Sequence, residues 1–178
     1  MKRTVAVLGA IAVLAFSLNA QDQASLSPSD SIPSVDGTAG ANEYQYNSTI
    51  SGMTVGATLG TDGQLYLSIQ ADTAGWVALG VGGQKMDKSR LFLAYDTGAK
   101  RVFNEQRGAG HFHGDVKDPV VAKWAVKKSG ASTTLELVLP ASAAVEGGKL
   151  DLLFAYSDST SYMSRHKARG AISLAVKE

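Results

Sequence analysis

The chain has 178 residues, 17 Lys and Arg against 16 Asp and Glu, and no Cys. The missing Cys excludes disulfides, thiolate metal sites and covalent C-x-x-C-H haem attachment, so the fold must be held by core packing. The near-neutral charge gives no basis for nucleic acid or an anionic membrane as partner.

At the start, Lys2 and Arg3 precede an apolar run from Val5 to Leu18 and a small residue, Ala20. This is the layout of a secretory signal peptide, and the run is too short for a comfortable membrane span. Residues 1–20 are therefore expected to be removed, although Leu18 is larger than the small-x-small pattern prefers. No Cys follows for lipidation, so a soluble periplasmic or secreted protein with no membrane span is expected. Loss of Lys2 and Arg3 leaves 15 basic against 16 acidic residues, a net charge near −1. Residues 21–34, containing QDQASLSPSDSIP, are rich in Ser, Asp and Pro and lack periodicity, which predicts a flexible lead-in.

From Val35 onward, short apolar or alternating runs are separated by Gly, Asp, Asn and Ser. In Gln64–Ala71, Leu65, Leu67 and Ile69 alternate with Tyr66, Ser68 and Gln70 after the turn-like Thr61-Asp62-Gly63, the pattern of a half-buried strand. Similar runs occur at Tyr44–Ile50, Met53–Leu59, Trp76–Val81, Leu91–Tyr95, Arg101–Glu105, Val120–Val126, Thr133–Leu139, Leu150–Tyr156 and Ala171–Val176. Ten short strands, with one possible helical turn at Ala141–Val145, predict an all-β, immunoglobulin-like antiparallel β-sandwich over residues 35–178. A domain of this size buries roughly 70% of its unfolded surface.

Met86 follows Gly82-Gly83 and precedes Asp87-Lys88-Ser89, in a polar loop and not an apolar stripe. It reads either as a core gap filler or as a thioether ligand, a soft neutral donor suited to copper(I) or haem iron. His166, in SYMSRHKARG before the last strand, is the natural second ligand, because the loops of a sandwich gather at its poles. The alternative is an exposed loop histidine. His111 and His113 form an H-x-H pair whose rings share one side of an extended chain, with Asp115 as a nearby oxygen donor for a divalent metal. Either His is also a reserve partner for Met86.

Trp76 and Trp124 raise the alternative of a carbohydrate or other small-ligand module without cofactor, although both read as core from their neighbours. G-x-S-x-G, H-E-x-x-H and G-x-x-x-x-G-K-[ST] are all missing, so an enzyme is not expected.

VDGTAGANEY, LYLSIQADTAGWVALGVGG, a Met followed by SRLFLAY, LLFAYSDS and a terminal H-x-x-R-G together resemble the DOMON superfamily. They are most similar to the branch with the cytochrome domain of cellobiose dehydrogenase and the haem subunit of ethylbenzene dehydrogenase. The resemblance implies a non-covalent haem b whose iron is held by Met86 and His166, with Lys167 as a substitute for the latter. It implies electron transfer to an unidentified envelope partner, since two axial ligands leave no open position for substrate. Lys85, Arg90, Tyr162 and Arg165 are near the two ligands in sequence and are the candidates for the haem propionates. Other members of the superfamily bind sugars, so the fold alone does not decide the function. The two charges at Asp87-Lys88 and the HFH segment depart from the family pattern.

Overall fold

The computed structural model describes residues 24–177; the expected signal peptide lies outside them. The strands are β1 (Ser25–Leu26), β2 (Tyr46–Ile50), β3 (Met53–Leu59), β4 (Gln64–Ala71), β5 (Val77–Val81), β6 (Arg90–Asp96), β7 (Arg101–Ala109), β8 (Phe112–Asp115), β9 (Lys123–Ser129), β10 (Ser132–Pro140), β11 (Val145–Glu146), β12 (Lys149–Tyr156) and β13 (Ala168–Val176). A single 3-10 turn, Ala141–Ala143, falls where a helical turn was expected. The larger sheet runs β1-β13-β12-β5-β6-β7-β8, with β11 added to β12; the smaller runs β2-β3-β4-β10-β9. Every pairing between these strands is antiparallel except β1 with β13.

Period-2 alternation aims one side of each strand into the space between the sheets. Leu65, Leu67 and Ile69 of β4 and Leu135, Leu137 and Leu139 of β10 enter it from the smaller sheet. Val77, Leu79, Phe92, Leu152 and Phe154 enter it from the larger. The ten predicted strands are all present, some longer than expected, β2 (Tyr46–Ile50) and β5 (Val77–Val81) shorter, and β9 (Lys123–Ser129) displaced towards the C-terminus from the expected Val120–Val126; three short strands are additional. The central strand β5 is buried along its whole length, as its unbroken apolar run predicts.

Two expectations are corrected. From Ala24 the lead-in is part of the fold: Ser25 and Leu26 pair with Ala175 and Val176, and Leu26 is fully buried. The Ser29 N–H also donates to Leu59 O at 2.9 Å. A single well-placed Leu is enough to dock a polar segment that has no periodicity of its own. Trp124 is not core; it is 39% exposed at the sandwich edge, stacked on Phe103 at 5.0 Å between centroids.

The VDGT segment covers the outer side of the smaller sheet. Glu136 of β10 faces outward yet is fully buried. Its Oε2 accepts the backbone N–H groups of Asp36, Gly37 and Thr38 at 3.0, 2.7 and 3.1 Å, and its Oε1 accepts the Tyr44 hydroxyl at 2.8 Å. A carboxylate with this many donors offsets its desolvation, and so ties the segment to the sheet. Burial, reinforced by Glu136, pushes the Tyr44 phenol far above its ordinary range.

Candidate functional site

On the outer side of the larger sheet the strand register gathers small and apolar residues. Leu153 pairs with Gly80, which pairs with Leu91; Ala155 pairs with Ala78, which pairs with Leu93. Ala171 extends the first row on β13. Trp76, Ala78, Leu91 and Leu93 are buried here, with Met86, Tyr95, Leu153, Ala155 and Tyr162 packed against them. The result is an apolar floor on the side of the sheet that faces away from the core.

Two loops border this floor from opposite ends. The segment carrying Met86 leaves β5 after Val81, whereas the 157–167 segment leaves β12 after Tyr156, which pairs with Val77. The ends of β5 are four strand steps apart, about 13 Å at about 3.3 Å per residue. The loops carrying Met86 and His166 therefore leave the sheet at opposite ends, and do not share a pole as the sandwich argument expected.

The Met86 loop is latched to the β7–β8 hairpin. Lys88 N–H donates to Gly108 O at 3.0 Å, Gly108 N–H to Ser89 O at 2.9 Å, and Gly110 N–H to Asp87 Oδ1 at 2.8 Å. Ser89 N–H closes the turn on Met86 O at 3.1 Å. A Cβ on Gly108 would lie 1.8 Å from Met86 O and 3.2 Å from Met86 Cγ, so only Gly allows this approach. Asp87, a departure from the family pattern, thus acts as a latch on Gly110.

Trp76 fixes the other loop. Its backbone N–H donates to Ser159 O and its C=O accepts Ser157 N–H, both at 3.0 Å. The indole Nε1–H donates to Ser161 O at 3.1 Å and Ser164 Oγ at 3.0 Å. Gly75 lets the loop come close, since a Cβ there would be 2.1 Å from Ser157 O. The Gly-Trp pair is thus the anchor of the His166 loop, a role invisible from its sequence neighbours.

His166 is half-buried. Desolvation, followed by the Arg169 and Arg165 charges, holds its imidazole below the ordinary histidine pKa. The neutral ring so favoured is the form that ligates a metal. Tyr162 lies on the floor with its ring 5.5 Å from that of Tyr95 and its hydroxyl donating to Leu93 O at 3.3 Å; burial pushes its pKa well up.

The other candidates divide. Lys85 and Arg165 are exposed, one beside Met86 and one beside His166 in sequence. Arg90 belongs to the frame: it pairs with Glu105, which faces the core beside Phe92, and with Asp118, and so is turned from the floor. Lys167 is held by Asp158 at 2.8 Å. His111 sits in the hairpin turn, so the shared-side argument fails for it, and no cluster of three or more His, Asp or Glu suited to a metal exists among the described residues. His113 pairs with Gly108, under the Met86 loop, and its Nδ1 is hydrogen-bonded to Gln106 Oε1. Gln106 Nε2–H in turn donates to Asp115 Oδ1 at 2.9 Å. A groove of about 430 Å³ lined by Ile32, Val35, Tyr66, Lys123 and Val138 lies on the other sheet, away from these residues.

No protein-family model and no curated protein sequence matches this chain. Among solved structures, it is similar to the cytochrome b domain of pyranose dehydrogenase from Coprinopsis cinerea. That match has a TM-score of 0.56 and 11% identity, and covers 69% of this chain and 76% of that one. It is also similar to the cytochrome domain of cellobiose dehydrogenase from Myriococcum thermophilum, with a TM-score of 0.56 and 13% identity, over 74% and 81% of the two chains. At these identities the likeness is one of fold: the chain is built on the β-sandwich of the cytochrome b domains.

Proposed function

We propose that this chain is an exported electron-transfer domain that binds haem b non-covalently between Met86 and His166. The observation that carries the reading is the apolar floor on the outer side of the larger sheet, bordered by one loop with a thioether and one with a neutral imidazole. An apolar surface with few convergent polar donors suits a flat, largely apolar ring system. When bound, haem supplies a one-electron iron couple, whose potential a Met ligand raises.

The chain's own residues then have distinct tasks. Met86 and His166 would hold the iron, each from a loop fixed by backbone hydrogen bonds. Leu91, Leu93 and Leu153 exclude water, and the small Ala78, Gly80 and Ala155 keep the floor flat. Lys85 and Arg165 are the exposed cations available to the propionates, and Tyr162 supplies an aromatic wall.

His113 gives a second reading for the iron's nitrogen ligand. It lies at the same end of the sheet as Met86, and the Asp115–Gln106–His113 chain fixes its Nδ1, the arrangement that orients metal-binding histidines.

Absorbance of the protein reconstituted with hemin tests both. A Soret band with a sharp reduced α-band is expected, and its absence removes the haem reading. Met86→Ala should yield a folded protein with altered spin state or lost haem. The same change in His166→Ala with none in His113→Ala supports the leading assignment, and the reverse supports the second.

A further inference from the structure

The two loops around the floor are basic, as is the run of Lys123, Lys127 and Lys128 on β9 at the edge of the other sheet. Residues 82–89 and 157–170 contain Lys85, Lys88, Arg165, Lys167 and Arg169 against Asp87 and Asp158, a net charge of +3. Both carboxylates are engaged locally, Asp87 with Gly110 N–H and Asp158 with Lys167 and the Thr73 hydroxyl. The acidic groups at the rim of the sheet are also engaged, Asp151 with Ser173 and Lys149 and Asp115 with Gln106. Lys85, Lys88, Arg165 and Arg169 are exposed and take part in no ion pair among the described residues.

An exposed apolar side chain is found at one of these loops. Met163 is 86% exposed in the His166 loop, whereas Phe112, 75% exposed on β8, pairs with Ala109 and faces the opposite side of the sheet from His113 and the Met86 loop. Met163 is the most exposed large hydrophobic side chain among the described residues. An exposed Met beside unpaired Arg side chains has the composition of an interface rim, where Met and Arg are enriched.

We infer that this end-to-end rim is a docking surface for an acidic, one-electron carrier protein. Charge complementarity selects the partner, and Met163 supplies an apolar contact point. The rim is discontinuous, which fits a small transient interface of less than about 1,200 Å². Its redox character rests on the haem reading; its charge and its apolar point do not.

The test measures binding by surface plasmon resonance, on both hemin-free and hemin-loaded protein. A plant-type ferredoxin is the acidic probe, cytochrome c the basic one and heparin the non-protein polyanion. Ferredoxin should bind both forms of the protein, with affinity falling about tenfold or more from low to high salt. Lys88→Glu combined with Arg169→Glu should weaken it at least about tenfold, and Met163→Ser should speed its release. If the double variant fails to fold, Lys88→Gln with Arg169→Gln replaces it, with a smaller loss expected in the same direction. Equal binding of cytochrome c, unchanged binding in the variants, or binding of heparin without ferredoxin overturns the inference. Ferredoxin binding by a protein that never develops a Soret band would leave the surface standing and remove the haem reading.

Discussion

Met86 depends on a residue that its own stretch of sequence does not contain. Its carbonyl lies where a side chain of Gly108 would begin, so the thioether's position is set from β7, across the sheet. Gly108→Ala cannot be accommodated by a side-chain rotation, because the 1.8 Å overlap is with backbone. Overpacking of this kind costs about 1–3 kcal/mol, and here it should also move the Met86 loop. We expect Gly108→Ala to unfold at lower urea and, after reconstitution, to show the spectral change of Met86→Ala. Gly114→Ala, where nothing lies within 4 Å of the added carbon, is the control and should change neither. Normal Met ligation in Gly108→Ala would mean that the hairpin does not position Met86. From the sequence, Met86 stood out as a solitary methionine in a polar loop, but Gly108 was one of several glycines in RGAGHFHG. Its meaning comes from a contact between elements far apart in the chain. The buried Glu136 was hidden for the same reason, since a charged residue among alternating Thr and Leu reads as solvent-facing until the VDGT segment closes over it.

The strands were the readable part. Alternation and turn residues are local, and β3 and β4 begin and end where their patterns do. The pairings that join distant elements were not readable, among them the clamp at the end of β6. Asp96 Oδ1 accepts Gly98 N–H at 2.7 Å, while Oδ2 accepts Lys128 N–H of β9 at 3.2 Å and Arg101 Nε–H at 3.3 Å, bridging the two sheets. Burial alone would raise this carboxyl's pKa, but the Gly98, Lys128 and Arg101 donors together outweigh it and hold it below the ordinary value. The sign follows. Below about pH 3.9 the unfolded chain takes up a proton that the native Asp96 still refuses. The stabilisation is thus complete above that pH and is lost as pH falls through the depressed native value. Asp96→Asn should lower stability at neutral pH and make the acid limb of the stability curve shallower. It should not flatten that limb, because Asp62, Asp151 and Asp158 are depressed too. Urea midpoints between pH 7 and pH 3 measure it, and parallel curves for wild type and variant would show that the clamp contributes nothing to acid sensitivity.

At the scale of the molecule, the two outer sides of the sandwich are covered by different parts of the chain. The smaller sheet is covered by the chain's own 34–44 segment, fixed to Glu136. The larger is overlain by two loops that enter from its ends, so that Trp76, Ala78, Leu91 and Leu93 are buried under Met86 and Tyr162 while Leu153 and Ala155 stay part-exposed. The apolar cluster on that side is separate from the core between the sheets, and it is the surface on which the haem reading is tested. Sequence patterns gave the loops and the candidate ligands; the floor appeared only once the register set Gly80 between Leu153 and Leu91. A ligand that binds the native state alone raises stability by mass action, about 2.7 kcal/mol at 100 times its dissociation constant. For a domain of this size, each kcal/mol moves the melting temperature by about 2–4 °C. Hemin at that excess should therefore raise the Tm by about 5–11 °C. Met86→Ala should reduce the shift through the lost bond, and Leu91→Asp, which charges the floor, should abolish it even where both ligands remain. Iron-free protoporphyrin IX separates the two contributions: it makes contact with the floor but cannot take axial ligands. A partial shift with protoporphyrin and a full one with hemin is the expected pair of results. A full shift with protoporphyrin would mean that the floor binds the ring without help from Met86 or His166. No shift with either compound would mean that the outer side of the larger sheet is not a haem site.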